Sequence, residues 1–433
     1  ATVVIGGLIT ATLLTLVVLP VLYSLVKGYK GGKGARAVVV FLIGFLWLTP
    51  DTQAQRVVSL PEAMEEATTQ NLLIKANQLS IQEQQALLPS SFNPPKTAVD
   101  VQYGQTQARP IDYTLTGIQS FSAPSVYRAQ RELLEGNVQG AQYQLSVERL
   151  RIASEVKRTY YQLLYHEKLL EVLRRQSDLY QRAVRAAEVR FRAGESNQLE
   201  AVTAQSRYQH LSQRIRNAHR EQQMHYAGLR LLLQTSDSLR IDTLTAMKLP
   251  LNARTEAVVR ASGNPMLNVL QQQVANSRMQ TQLEQRSKLP DWRLGVLSQS
   301  IERRFGFSAL HVGMSFHLFT KAQNARIQAA RIQEQIKETQ LNYAARQLDT
   351  ELEVTQARQR SLSATLEYYE TFALPQSELI QQTALRAYES GEAGYVEFFA
   401  AIQQAYLLRE EYLSRVLEYD INLIRIEELI GIE

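Results

Sequence analysis

The sequence has 433 residues, of which 45% are hydrophobic and 8% aromatic, which is typical of a folded protein. It contains no cysteine, which excludes disulfides, thiolate metal sites, a catalytic cysteine and a lipidated N-terminal cysteine. The net charge of +5 does not indicate nucleic-acid binding, because 43 of the 47 basic residues are balanced by 42 acidic ones. The other four basic residues lie within ten positions: Lys27, Lys30, Lys33 and Arg36.

Residues 1–26 predict a transmembrane helix, because they carry no charge and exceed the roughly 20 residues that span a bilayer. Residues 27–55 then predict a basic cytoplasmic loop and a signal-peptide-like segment, whose apolar part of about a dozen residues has the length of an h-region. We expect cleavage after Ala54; in the alternative, an uncleaved anchor, residues 1–50 stay in the inner membrane. In both cases the chain after Gln55 lies in the periplasm or beyond.

The rest of the sequence repeats one order of elements: helix, two strands, long helix, glycine turn and shorter helix. For residues 56–253 we predict a helix at 59–88, strands at 96–105 and 112–121, a helix at 124–192, a turn at Gly194, a helix at 198–234 and an equatorial linker at 235–253. For residues 254–433 we predict a helix at 264–289, strands starting near Trp292 and Ser308, a helix at 321–389, a turn at Gly391 and a last helix ending near Leu429.

The two long helices set the expected shape. Each would be about 100 Å long at roughly 1.5 Å per residue, whereas ordinary helices have about 11–12 residues. No globular core needs such a length. We therefore predict a mainly α protein in which antiparallel helices form a tall hollow wall.

The strand pairs alternate apolar and polar residues, which is typical of an outer-membrane strand with its apolar face toward lipid. Aromatic residues lie toward the predicted strand ends, where interfacial girdles form: Tyr103, Tyr113, Phe121, Trp292, Phe305 and Phe319. Two soluble hairpins packed on a core are the alternative. Four strands cannot close a barrel, so a membrane location requires oligomerisation, and three copies would supply twelve strands.

Three motifs carry a resemblance to the TolC-type outer-membrane factor family over about residues 57–432. They are FRAGESNQLEAVTAQ (191–205), YESGEAGYVEFFAAIQ (388–403) and ALPQSE (373–378). The resemblance implies a homotrimer with a short β-barrel of four strands per protomer in the outer membrane. It also implies a long periplasmic α-helical barrel, built from a duplicated helix–strand–strand–helix repeat, whose lower end closes as an iris and docks onto a periplasmic adaptor.

A second resemblance concerns the N-terminus. The stretch ATVVIGGLITATLLTLVVLPVLY is similar to the last transmembrane helix of heavy-metal-exporting pumps of the resistance–nodulation–division type. It implies a fusion of pump and duct, or a read-through of adjacent genes.

Gly194 and Gly391 are expected to adopt backbone conformations that other residues resist, allowing a tight reversal at the tunnel tip. The resemblance implies that the adaptor docks at these turns, which include Glu195 and Glu392. An ordinary helix C-cap without a further role is the alternative reading of each glycine.

Glu200 and Glu397 are candidates for a pore constriction, because three copies of an acidic residue in a narrow pore would attract cations; solvated surface glutamates are the alternative. Glu397 matches an acidic tip position of the family, whereas Ala400 stands where some members carry a second acid. Pro375 should bend the second long helix because it removes a hydrogen bond. Pro124 marks the junction between barrel and helix.

The resulting hypothesis is a passive outer-membrane exit duct of a tripartite efflux system, with an adaptor and an inner-membrane pump as partners and heavy-metal cations as substrates. Export of drugs or other small molecules, type I secretion, and a periplasmic coiled-coil adaptor are the alternatives. The sequence has no phosphate-binding loop and no GxSxG motif, so we do not predict an enzyme. We expect no cofactor, no metal site and no nucleic-acid partner.

Overall fold

The computed structural model describes residues 56–105, 109–251 and 260–432, which belong to one compact unit, Arg56–Glu433. The membrane helix predicted at 1–26 and the segment predicted at 27–55 lie outside the described residues. The boundary between the two predicted halves lies outside them as well, because it falls within 252–259. Within the described ranges, no helix combines the length and the apolar character that a bilayer span requires.

Two short helices, α1 (Leu60–Gln70) and α2 (Leu72–Ala86), form where the sequence alone predicts one continuous helix. The break is at Asn71, whose backbone is extended (φ −61°, ψ 129°) and whose side chain accepts a hydrogen bond from the Leu73 N–H at 2.9 Å. The Asn71 amide also donates to the Leu232 carbonyl at 2.9 Å. The prediction of one helix is wrong here because an asparagine side chain can compete with the helical backbone for hydrogen bonds.

The longest helix, α3 (Pro124–Arg192), has 69 residues and is therefore about 100 Å long at about 1.5 Å per residue. After the first glycine turn, α4 (Gln198–Leu233) packs back along it over 36 residues. The second half supplies α5 (Pro265–Arg286) with 22 residues and α8 (Tyr395–Ile430) with 36. Both α5 and α8 pack on α3, so the two halves share one helical wall.

The second predicted long helix follows one path but not one hydrogen-bond pattern. It consists of α6 (Lys321–Tyr368), a π turn (Tyr369–Ala373) and α7 (Leu374–Glu389). In the π turn the Leu374 N–H bonds to the Tyr369 carbonyl, five residues back. The next residue, Pro375, has no N–H to donate.

Both strand pairs join in one antiparallel sheet, whose order is β2 (Ala98–Gly104), β3 (Asp112–Phe121), β5 (Asp291–Ile301) and β6 (Arg304–Ser315). The halves meet at the β3–β5 pair, where Gly117 lies opposite Val296. One face carries exposed apolar side chains, including Val99, Val101, Leu115, Val296, Leu310 and Val312. The other face carries polar ones, including Asp100, Gln102, Thr116, Arg293 and His311. The alternation predicted from the sequence is confirmed.

A side chain from the first half stabilises the hairpin of the second. Glu302 and Arg303 connect β5 to β6 with positive φ angles of 54° and 64°, as in a type I′ turn. The Asp112 carboxylate on β3 accepts hydrogen bonds from both of their N–H groups, at 3.2 and 3.1 Å, and from the Ser300 hydroxyl at 3.0 Å. These bonds offset the strain of two non-glycine residues in the left-handed region.

At mid-height, two short parallel strands, β1 (Arg56–Val58) and β4 (Leu239–Ile241), pair with each other beside α3. The Tyr160 hydroxyl lies between them and the following segment, donating to the Asp242 carbonyl at 3.1 Å. We call residues 242–249 the strap. Its residues Met247 and Leu249 pack against two of the buried apolar clusters that line the helical wall.

Candidate functional site

The two glycine turns form the end of the helical wall opposite the sheet. Gly194 and Gly391 have φ angles of +77° and +81°, and a Cβ at either position would meet no atom within 4 Å. The positive φ angle alone therefore requires glycine, because an L side chain costs about 1–2 kcal/mol in this region. Each turn has five residues, 193–197 and 390–394, between the end of one helix and the start of the next.

The first turn ends α3 with the two bonds of a Schellman motif. The Gly194 N–H donates to the Phe191 carbonyl at 3.0 Å and the Glu195 N–H donates to the Arg190 carbonyl at 2.9 Å. Helix α4 is then capped by Asn197, whose side chain accepts a hydrogen bond from the Glu200 N–H at 3.0 Å.

The second turn repeats the length of the first and its glycine hydrogen bond, but its closing bond starts one residue later. The Gly391 N–H donates to the Tyr388 carbonyl at 3.3 Å, and the closing bond runs from the Ala393 N–H to the Ala387 carbonyl at 2.9 Å. Gly394 is the cap position before helix α8, and its N–H donates to the Glu397 carboxylate at 3.2 Å. Gly394 has no side chain that could cap the helix. The hydrogen bond from its N–H to Glu397 therefore caps α8 and fixes the position of the Glu397 carboxylate.

The acidic candidates lie in different environments. Glu195, Glu392 and Glu397 are exposed. The Glu200 side chain is only 13% exposed and lies 3.7 Å from the Arg190 guanidinium, and its Oε1 atom is buried without a hydrogen bond. Of the two constriction candidates, therefore, only Glu397 has a carboxylate on an open surface, whereas Glu200 faces a cation on the neighbouring helix.

Aromatic rings join the four helices behind the turns. The rings of Tyr388 and Phe398 stack at 4.5 Å between centroids, and the Phe399 ring contacts those of Tyr395 and Tyr180 at 4.4 and 4.9 Å. The Arg207 guanidinium lies 5.5 Å from the Phe399 ring. Burial raises the pKa of Tyr395 to about 12, so its hydroxyl stays protonated. This packing fixes the relative positions of α3, α4, α7 and α8 near the turns.

The two prolines singled out in the sequence lie at element boundaries. Pro124 is the first residue of α3, three positions after the end of β3, where a missing N–H removes no helical bond. Pro375 is the second residue of α7, directly after the π turn. π turns inside helices are frequent at functional sites.

Sequence reasoning missed several residues near the turns and at mid-height. The only sequence signal that could have indicated a role for Arg190 is its position four residues before Gly194. Asp420 is 1% exposed on α8 and accepts a hydrogen bond from the Leu249 N–H of the strap at 2.8 Å. A lone carboxylate between apolar residues of a helix could have indicated a buried acceptor. Within the described ranges, no group of three or more His, Asp or Glu residues is placed to hold a metal ion.

The model of the outer membrane efflux protein family matches residues 120–234, which include α3, the first turn and α4. A comparison with curated protein sequences finds no match. The fold is similar to that of CusC, with a TM-score of 0.73 and 15% identity over 89% of this chain and 96% of that chain. It is also similar to the Campylobacter jejuni CmeC outer membrane channel (TM-score 0.72, 13% identity, 86% of this chain and 85% of that one). The Vibrio cholerae outer membrane protein VceC is similar as well, with a TM-score of 0.71 and 16% identity over 85% of this chain and 96% of that chain.

The sequence match and the fold agree. The match spans the first glycine turn and the helices on either side of it, and the similar structures extend the agreement over both halves. Two of the similar structures are described as channels, CusC through its transmembrane channel formation and CmeC as an outer membrane channel. Residues 120–234 therefore match the outer membrane efflux protein family, and the chain has the TolC-type fold of the similar structures.

Proposed function

We propose that three copies of this chain form the outer-membrane exit duct of a tripartite efflux system. The observation that supports the trimer is the four-stranded sheet, in which β2 and β6 each have an edge that no other described strand pairs. A sheet edge in hydrocarbon leaves backbone N–H and C=O groups unsatisfied, so only a closed barrel is viable. Joining β6 of one copy to β2 of the next closes such a barrel with twelve strands.

The strand lengths and the exposed face support the membrane location. Strands β3, β5 and β6 have 10, 11 and 12 residues, and a tilted membrane strand needs about 9–11. On the apolar face Val101 is 68% exposed and Leu310 is 83% exposed. Lipid would cover this face, while the polar face would line the lumen.

The membrane orientation of the sheet can be tested with neighbouring residues on β6. Val312→Arg places a charge on the proposed lipid face, which costs about 2–4 kcal/mol at the bilayer midplane. His311→Arg, the matched control, places the same charge on the proposed lumen face. We expect native mass spectrometry of the outer-membrane fraction to find trimers of the wild type and His311→Arg, and a large loss of trimer for Val312→Arg. Monomers of the wild type, or equal trimer yields for both variants, would contradict the proposal.

The glycine turns are the proposed docking surface for a periplasmic adaptor. Their exposed glutamates, Glu195 and Glu392, lie at the end of the wall that faces away from the sheet. A photo-crosslinking amino acid at either position should capture the adaptor in intact cells. The same amino acid at Glu83, an exposed position on α2, is the control and should not. Equal capture from all three positions would remove the turns from the interface.

Heavy-metal cations are the proposed substrates. This proposal rests on the resemblance of residues 1–26 to the last transmembrane helix of heavy-metal-exporting pumps. Exposed carboxylates at the duct entrance are compatible with cations, since three copies of Glu397 would lower the potential there. We expect Glu397→Gln to reduce the cation selectivity of single channels in planar bilayers, and Glu392→Gln to change it less. Deleting the gene should lower tolerance to a heavy metal. Unchanged tolerance to every metal, with increased sensitivity to drugs, would favour multidrug export.

A further inference from the structure

The strap contacts the one place where the long helices are irregular. Whereas α3 runs without interruption, the corresponding helix of the second half contains the π turn and then Pro375. The wider turn and the missing N–H weaken the hydrogen-bond ladder over about two turns, and kinks concentrate at such positions. If the second half bends anywhere along its length, the π turn is the position of least resistance.

Lys248 of the strap holds the π turn through an ion pair. Its Nζ atom lies 2.9 and 3.1 Å from the two carboxylate oxygens of Glu370, within the π turn. The same ammonium lies 5.8 Å from the Tyr419 ring on α8. One side chain therefore connects the π turn, the strap and α8.

Helix α8 also holds the π turn. The Tyr412 hydroxyl donates to Glu370 at 3.3 Å, and the Tyr369 hydroxyl donates to Glu411 at 3.0 Å. Just beyond the turn, the buried Ser377 hydroxyl of α7 donates to the α8 backbone at 2.7 Å. Helices α7 and α8 are thus tied together on the tip side of the π turn, and would move as one pair.

The other end of the strap belongs to the rigid middle of the wall. The Asp242 N–H donates to the Val58 carbonyl at 3.1 Å, and the Tyr160 hydroxyl lies 3.2 Å from the Thr245 hydroxyl. Val58 and Tyr160 are completely buried. The strap therefore connects a fixed core in the first half to the bendable point of the second half.

We propose that the strap is a latch on the tunnel gate: while Lys248 holds Glu370, the π turn stays straight and the α7–α8 pair keeps the tip closed, and its release lets the pair swing outward. The inference rests on the proposed duct function. The latch is weak enough to open, because both partners are more than a third exposed (39% and 37%), and an exposed ion pair shifts an equilibrium only by about fivefold at most.

The test measures conductance of purified full-length channels in planar bilayers. Lys248→Glu should raise the open probability by about two- to fivefold, the change that an exposed ion pair can supply. The swapped double variant, Lys248→Glu with Glu370→Lys, should return it to the wild-type value. The matched control reverses another half-exposed ion pair: Arg425 on α8 and Glu351 on α6, both 37% exposed and away from the π turn. Arg425→Glu should leave the open probability unchanged.

The outcomes separate this inference from the duct function. A wild-type protein that forms no channel would contradict the proposed function itself. A wild type that conducts, with Lys248→Glu unchanged or less often open, would overturn the latch. The same conclusion would follow if Arg425→Glu opened the channel as much, or if the swapped pair failed to restore closure.

Discussion

Replacing Asp420 with asparagine would remove a buried acid from the middle of the helical wall while keeping an oxygen that can accept the Leu249 N–H. Burial raises the pKa of Asp420 from its ordinary 3.8 to about 7, and the Leu249 N–H and Lys248 oppose this only in part. The other titratable groups near it, Tyr161 and Tyr412, are neutral at these pH values and do not offset the charge.

The size of the effect follows from linkage. The unfolded chain ionises this carboxyl near pH 4, whereas the folded protein resists ionisation until near pH 7. The wild type therefore loses stability as the pH rises through this window, by on the order of 4 kcal/mol at about 1.4 kcal/mol per pKa unit. The asparagine variant does not titrate. Its buried amide group leaves N–H donors unpaired, which costs about 1–3 kcal/mol at every pH.

We therefore expect Asp420→Asn to be less stable than the wild type at pH 4 and more stable at pH 8, by about 1–3 kcal/mol in each case. Urea unfolding in detergent at pH 4, 6 and 8 would measure this crossover. Asp242→Asn is the matched control, because Asp242 also accepts a strap N–H (Leu244, at 2.9 Å) but is only half-buried. A stability difference between Asp420→Asn and the wild type that is equal at pH 4 and pH 8 would refute the reasoning.

Five further substitutions test the packing. Gly194→Ala and Gly391→Ala should each lower the free energy of unfolding by about 1 kcal/mol because of their positive φ angles. Gly228→Ala, in open space within α4, should raise the free energy of unfolding by about 0.5–1 kcal/mol. Urea titration measures the sign of each change. Asp112→Ala removes the acceptor of three hydrogen bonds in the β5–β6 hairpin and should lower the heat resistance of the oligomer on gels; unchanged resistance would mean that the turn forms without it. Phe399→Ala should cost about 3–5 kcal/mol, since the ring is completely buried; a loss below 1 kcal/mol in the same titration would contradict the tip packing.

The regular elements could be predicted from the sequence because each follows from a short-range pattern. An uninterrupted α3 follows from the absence of proline after its first residue and from glycines confined to its first five turns, and the strands follow from alternation. The positive φ angles at Gly194 and Gly391 follow in the same way, from glycine at the end of a helical pattern.

The connections between distant residues could not be predicted. The pairing of β3 with β5 depends on residues about 180 positions apart, and no local pattern encodes it. The same holds for Lys248 and Glu370, and for Glu200, which faces Arg190 across the turn. The π turn could not be predicted because its residues fit an ordinary helix, and the partners of Tyr369 and Glu370 on α8 and the strap are distant in the sequence.

The unequal hydrogen bonding of the two glycine turns has a consequence for stoichiometry. A threefold ring of this protomer would present six binding sites of two alternating kinds. In one kind Glu200 lies beside Arg190, and in the other Glu397 is exposed. A partner that binds only one kind of site would bind three times per ring, and a partner that binds both kinds would bind six times. The number of partners bound per ring would therefore show whether the two glycine turns still bind the same partner.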